Sequence, residues 1–215
     1  EHRLVSACGT LFITGVIETR DGQVWLGCQD HLVRFDPRSG GQQRWLADGS
    51  GDAAPVGRIA QFVEQRDGTL WLASHQSIQL RDAGGRVLDT IDRGTGRGLD
   101  ATTSIEQLLL APDGGIWVVT SAGLLAWDDG GRVFAPVPGA PGAAAYSVAI
   151  AGDGTVWLAG YGELSSWRWD GALLLPLRRV GQADGLPMVA PGGVVVDAAG
   201  IVWLTTVRGL VRFDP

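Results

Sequence analysis

The chain has 215 residues, with 17 basic against 23 acidic side chains, a net charge of −6 and 45% hydrophobic residues. The acidic surplus and the lack of any basic run argue against nucleic acid or an anionic membrane surface as a main partner. The apolar share is enough for a packed core and excludes a disordered chain. Every strong cation is an arginine, so lysine Schiff-base and P-loop chemistry are ruled out, and a GC-rich coding sequence accounts for the bias.

Taken in order, residues 3–7 (Arg-Leu-Val-Ser-Ala) read as a short strand with no repeat before it. Thr14 to Arg20 reads as an inner strand carrying Val16 and Ile17. Asp21-Gly22 then signals a two-residue hairpin, since glycine takes positive φ at low cost. Val24-Trp25-Leu26 is a buried return strand, too short and too β-branched for a helix. A second turn over Gln29 to His31 leads to a third strand, Leu32 to Phe35, and Gln43 to Ala47 is the outer strand.

The same plan recurs. Asp67-Gly68 precedes Trp71-Leu72, Asp113-Gly114 precedes Trp117-Val118, and Asp153-Gly154 precedes Trp157-Leu158. The fifth copy reads Ala199-Gly200 before Trp203-Leu204, its aspartate lost. The glycines are spaced by 46, 46, 40 and 46 residues, the size of a four-stranded propeller blade. The expected fold is therefore an all-β single domain over 1–215: a propeller of five four-stranded blades centred on Trp25, Trp71, Trp117, Trp157 and Trp203. The fifth copy stops at Val211 to Pro215, the end of its third strand, so Arg3 to Ala7 is the expected outer strand of the last blade, closing the circle. The rival reading is a five-blade piece of a larger propeller.

Glycine- and proline-rich loops over 47–57, 93–103, 136–144 and 180–193 join the blades on the surface. Arg93-Gly-Thr-Gly-Arg-Gly98 neither follows a βαβ strand nor opens a helix, so it is not read as a phosphate cradle. Cys8 and Cys28 are either a disulfide or two small buried thiols. With His2, His31 and His75 at unrelated spacings they do not read as a zinc site. No signal peptide, membrane span or lipidation motif is visible, and a first residue of Glu reads as a processed or excised domain.

The full pattern resembles the two-component regulator propeller repeat. Copy one carries it as Ile17, Asp21-Gly22, Val24-Trp25-Leu26-Gly27, Leu32 and Phe35-Asp36-Pro37. Copy three has Trp117 to Thr120, Gly123-Leu124 and Trp127-Asp128; copy five has Trp203 to Thr206, Gly209-Leu210 and Phe213-Asp214. Copy two departs with Ser77 in place of the second-turn glycine, and copy four carries two extra residues before Asp170. The resemblance implies a sensory role in the extracytoplasmic, periplasmic part of a receptor, ahead of a histidine kinase, diguanylate cyclase or similar output. It also implies that the repeat residues are structural: Gly for the turn, Asp to cap it, Trp to pack between blades.

No Gly-x-Ser-x-Gly elbow occurs. The inner-strand acids Glu18, Glu64 and Glu106 are too few and too unevenly placed for a glycosidase pair; Glu18 and Glu64, at equivalent positions, read as partly solvated ends of inner strands. The sialidase Asp-box spacing also fails. Pro191 to Thr205 is similar to the blades of streptogramin lyases, which implies an alternative lyase function resting on a His/Glu set with a metal. His31 and His75, in the second turns of blades one and two, would be the imidazoles of such a site, against the plainer reading of exposed turn histidines.

The expected ligand face is built by the second turns and inter-blade loops. Its residues are His31, His75, Gln76, Tyr161, Glu163 and Arg208, with Gln29 and Asp30 beside them. The expected partner is a small polar ligand, carbohydrate among the candidates, or a protein. No catalytic residue, metal or cofactor is assigned. The leading expectation is a non-enzymatic sensing propeller; the alternatives are a lyase and a structural protein-binding disc.

Overall fold

The computed structural model describes residues 8–9, 12–46, 58–142, 147–187 and 191–215. The expected closing strand Arg3 to Ala7 and the loop 47–57 lie outside the described residues. The chain divides into two compact units, Glu1–Ala101 and Thr102–Pro215.

Unit one holds two antiparallel meanders. Blade one is β1 (Ile13–Glu18), β2 (Val24–Cys28), β3 (His31–Phe35) and β4 (Gln42–Leu46). Blade two is β5 (Gln61–Glu64), β6 (Leu70–Ala73), β7 (Ser77–Arg81) and β8 (Val87–Asp92). Unit two holds three more. Blade three is β9 (Ile105–Leu110), β10 (Ile116–Thr120), β11 (Gly123–Asp128) and β12 (Val133–Pro136). Blade four is β13 (Ser147–Ile150), β14 (Thr155–Gly160), β15 (Glu163–Trp169) and β16 (Leu174–Val180). Blade five shows three strands among the described residues: β17 (Pro191–Val196), β18 (Val202–Thr206) and β19 (Gly209–Phe213).

The first turn is wider than a two-residue hairpin. Gly22 N donates to Thr19 O at 2.8 Å, and Thr19 N donates to Gln23 O at 2.9 Å. Only the glycine takes positive φ, at 80°. A right-handed turn followed by a left-handed glycine matches strand twist without asking Asp21 for a positive φ. The aspartate instead caps the turn, its Oδ1 accepting from Gln23 N at 3.1 Å. Asp67, Asp113 and Asp153 do the same for Thr69, Gly115 and Thr155. Blade five, which lacks that aspartate, uses Asp197 from two positions earlier. Its Oδ1 accepts from Ala199 N and Ile201 N, and its Oδ2 from the Trp203 indole at 2.8 Å.

Trp25, Trp117 and Trp157 fill the space between neighbouring blades of one unit. Trp25 packs with Ile59, Leu70 and Leu72 of blade two and stacks on Trp45 with ring centres 5.3 Å apart. Trp117 packs with Val148, Val156 and Leu158 of blade four, and Trp157 with Val194, Val202 and Leu204 of blade five. Burying surfaces of this size is the main stabilising term between blades.

Polar stitches join the inner strands. Thr14 Oγ1 donates to Gly27 O at 3.0 Å and reaches Ile59 O of blade two. The Gln107 amide bridges to blade four, donating to Val148 O and accepting from Val148 N, both at 2.8 Å. Ser147 Oγ then accepts from Val194 N of blade five at 3.1 Å. Blade two departs from the pattern at Arg81, which stands where the other copies carry Phe35, Trp127, Trp167 and Phe213. It is fully buried. Its guanidinium donates to Gln79 Oε1 and Gly85 O, both at 2.8 Å, and lies 5.2 Å from the Trp45 ring centre. Burial lowers its pKa to about 10.

Candidate functional site

Each blade has two ends, one carrying the first turn and one the second. Of the sequence-predicted residues, His31, His75 and Gln76 belong to unit one and Tyr161, Glu163 and Arg208 to unit two, each at the second-turn end of its own blade. Tyr161 is 61% exposed, and Arg208, His75 and Gln76 are also exposed, with Gln29 and Asp30. Glu163 pairs with Arg179 at 2.9 Å. Ser77, in place of the turn glycine, is accommodated because Ser74 Oγ accepts from both Gln76 N and Ser77 N.

His31 is not an exposed turn histidine. It is buried at the start of β3, with Nδ1 2.5 Å from Asp30 Oδ1. The cysteine alternatives also resolve: Cys8 and Cys28 form a disulfide with Cα atoms 5.6 Å apart. The donor atoms of Cys8, Cys28 and His31 all lie within 4.8 Å of one another.

Among the described residues, the first-turn end carries two clefts between neighbouring blades, and none of the six predicted residues lines either. The cleft between blades one and two has a volume of about 400 Å³ and includes Arg20, Asp21, Trp25, Glu64, Arg66 and Asp67. Here Glu64 is part of an inter-blade clamp. Its Oε2 accepts from Arg20 N at 2.9 Å, while the Arg20 side chain reaches Gln65 O and Arg66 O. Glu64 is the partly solvated strand end expected of it, and the clamp is an added role that the sequence did not show.

The cleft between blades four and five is larger, about 710 Å³, and includes Asp153, Trp157, Ser166, Arg178, Asp197 and Asp214. Arg178 lies 5.0 Å from the Phe213 ring centre. The Trp203 indole bond holds the Asp197 carboxyl below its ordinary pKa, and the Thr155 amide does so for Asp153. These carboxylates are held ionised, which suits accepting hydrogen bonds from a ligand and not donating a proton to a leaving group. The sequence signal for this cleft was present in the paired turns Asp153-Gly154 and Ala199-Gly200, whose recurrence concealed the space between them.

A search of solved structures places this architecture. The extracellular domain of a hybrid two-component system from B. thetaiotaomicron superposes with a TM-score of 0.74 at 14% identity, over 95% of this chain and 28% of that one. The chain has the β-propeller fold. Other propellers of similar shape are virginiamycin B lyase from Staphylococcus aureus, at TM-score 0.63, 14% identity and coverage of 94% and 69%, and its catalytically inactive H270A form with quinupristin, at 0.64, 13%, 95% and 70%. No family model and no curated protein matches the chain. The propeller thus spans just over a quarter of the two-component protein's domain, and the likeness to it is one of fold.

Proposed function

We propose that this propeller is the non-catalytic, ligand-sensing part of a bacterial signalling receptor, facing an oxidising compartment such as the periplasm. The observation that carries the reading is a division of labour among its polar residues. The Asp and Gly of each repeat are committed to turns and the Trp to packing, while Tyr161, Arg208, His75 and Gln76 stand exposed at the second-turn ends. Likeness in fold to the extracellular domain of a hybrid two-component system supports it. So does the Cys8–Cys28 disulfide, because such bonds persist where thiols are not kept reduced.

Within unit two, Tyr161 offers a stacking face, and Glu163 and Arg208 offer charged hydrogen-bonding groups, a set that suits a hydroxyl-rich ligand such as a carbohydrate. Within unit one, taken by itself, His75 and Gln76 stand exposed at the second-turn end of blade two. Signal output would reside in a kinase or cyclase region beyond this propeller. The second reading, a lyase, draws on the likeness to virginiamycin B lyase. Against it, His31 is withdrawn beside a disulfide.

Calorimetric titration with a panel of mono- and oligosaccharides tests the proposal, alongside incubation with quinupristin followed by chromatography. Saturable sugar binding, weakened at least about tenfold by Tyr161→Ala through loss of the stacking contact, with quinupristin recovered unchanged, is the expected result. Consumption of quinupristin would overturn the non-catalytic reading. Sugar binding that responds to Arg178→Ala and not to Tyr161→Ala would move the site to the first-turn cleft.

A further inference from the structure

We propose that Cys8, Cys28 and His31 form a redox-dependent metal centre: a disulfide beside a histidine when oxidised, and a Cys2His site for a borderline-soft divalent cation, zinc or cobalt, when reduced. Sequence spacing hides it, because Cys8 is 20 residues from Cys28. Folding brings the residue ahead of β1 against the β2–β3 turn, where Cys28 and His31 are separated only by Gln29 and Asp30.

Three observations carry the inference. The donor atoms already lie within 4.8 Å of one another. Zinc holds thiolates at about 2.3 Å and imidazole nitrogen at about 2.0–2.1 Å, so ligands of one tetrahedral ion sit roughly 3.3–3.8 Å apart; the imidazole is within reach of both sulfurs, and these must separate to that spacing once the bond joining them is cut. The residues are also buried, at 6%, 1% and 8% exposure. Two thiolates and a dication cancel, so the occupied centre carries no net charge, as its burial requires. Hard cations, which prefer oxygen ligands, are disfavoured there. Finally, the Asp30 carboxylate lies 2.5 Å from His31 Nδ1. A carboxylate in that place orients a metal-bound imidazole and raises its basicity, and solvent fills the fourth position. Asp30 is thus a positioning residue.

The chemistry balances with a water-soluble phosphine as reductant. The phosphine takes up the oxygen of one water, the S–S bond breaks, and the two hydrogens of that water end as two thiol protons. The cation then displaces both protons to solvent and forms two metal–sulfur bonds. The inference is independent of what ligand the propeller senses.

The test uses the whole chain, reduced with phosphine without oxygen, freed of excess reagent, assayed for two thiols and titrated with Co(II). One equivalent should bind, with thiolate-to-cobalt charge-transfer absorption and the visible bands of a tetrahedral ion; added zinc should displace it. The oxidised chain should show neither band. Cys28→Ser should abolish binding. His31→Ala should weaken it at least about tenfold and shift the visible bands, and Asp30→Asn should weaken it about 10- to 100-fold with the bands retained. A reduced, folded chain with no charge-transfer band would overturn the proposal. So would a His31→Ala chain with unchanged affinity and spectrum, since the ion would then be held by two thiols alone. Circular dichroism recorded on the same samples covers the remaining outcome: loss of the β-sheet signal on reduction would refute the centre, which needs β2 and β3 paired.

Discussion

Gly27 lies on β2 where blade one meets the residues leading into β5 of blade two. A Cβ built there would sit 2.2 Å from Ile59 O, about 1 Å short of the 3.4 Å at which ordinary contact begins. The obstruction is a backbone carbonyl, which no side-chain rotation removes. Gly27→Ala must therefore push the two blades apart and disturb the Thr14 hydroxyl, which bonds Gly27 O and reaches Ile59 O. Overpacking of this kind costs about 1–3 kcal/mol, and the rigid neighbour argues for the upper part of that range. For a chain of this size each kcal/mol lowers Tm by about 2–4 °C, so a fall of roughly 6–12 °C is expected in a thermal melt followed by circular dichroism. Gly152→Ala is the control: nothing lies within 4 Å of its built Cβ, and its effect should stay within about 0.5 kcal/mol. If the two variants melt together, the close approach of blades one and two is wrong.

Four further outcomes are expected. Reducing the disulfide, or Cys28→Ser, releases a loop spanning 20 residues and should destabilise the chain by about 3 kcal/mol in urea titrations. Asp89→Ala removes both bonds of the fork to Arg97, at 3.0 and 2.8 Å, and should cost about 2 kcal/mol, since hydrogen bonds to charged groups lie in that range. Asp197→Ala should lower Tm more than Asp153→Ala, because Asp197 holds the Trp203 indole in addition to its turn. Hydrogen bonding keeps Asp21, Asp36, Asp153, Asp170 and Asp197 below the ordinary carboxylate value of 3.8 in the fold. Their contribution is complete above that value and lost as pH falls through the lower folded values. The urea midpoint should therefore be flat from about pH 7 to 5 and decline below about pH 4.

Much of the fold was readable because its signals are local. Asp-Gly at a fixed distance before Trp marks a turn and the strand after it, and β2 and β3 appear at the expected places with ends shifted by a residue or two. The turn type was misjudged because a glycine's positive φ implies nothing about the residue before it. Arg81 was missed because a charged residue in an aromatic position gives no hint of the Gln79, Gly85 and Trp45 groups that receive it. His31 and His75, one position apart in the repeat, have different surroundings because blade one alone carries a disulfide at that turn. The first-turn clefts escaped notice for a related reason. They are spaces between repeats, whereas a repeat pattern reports what lies within one.

The bridge from Cys8 to Cys28 also decides how the chain bears mechanical load. β1 pairs with β2 alone within its sheet, so tension on the segment ahead of it would unzip it one hydrogen bond at a time. The covalent link instead carries a pull at residue 8 directly to the end of β2, leaving the whole of β1 outside the load path. Force then passes from Cys28 to β3, and peeling of the first strand can begin only after the bridge is cut.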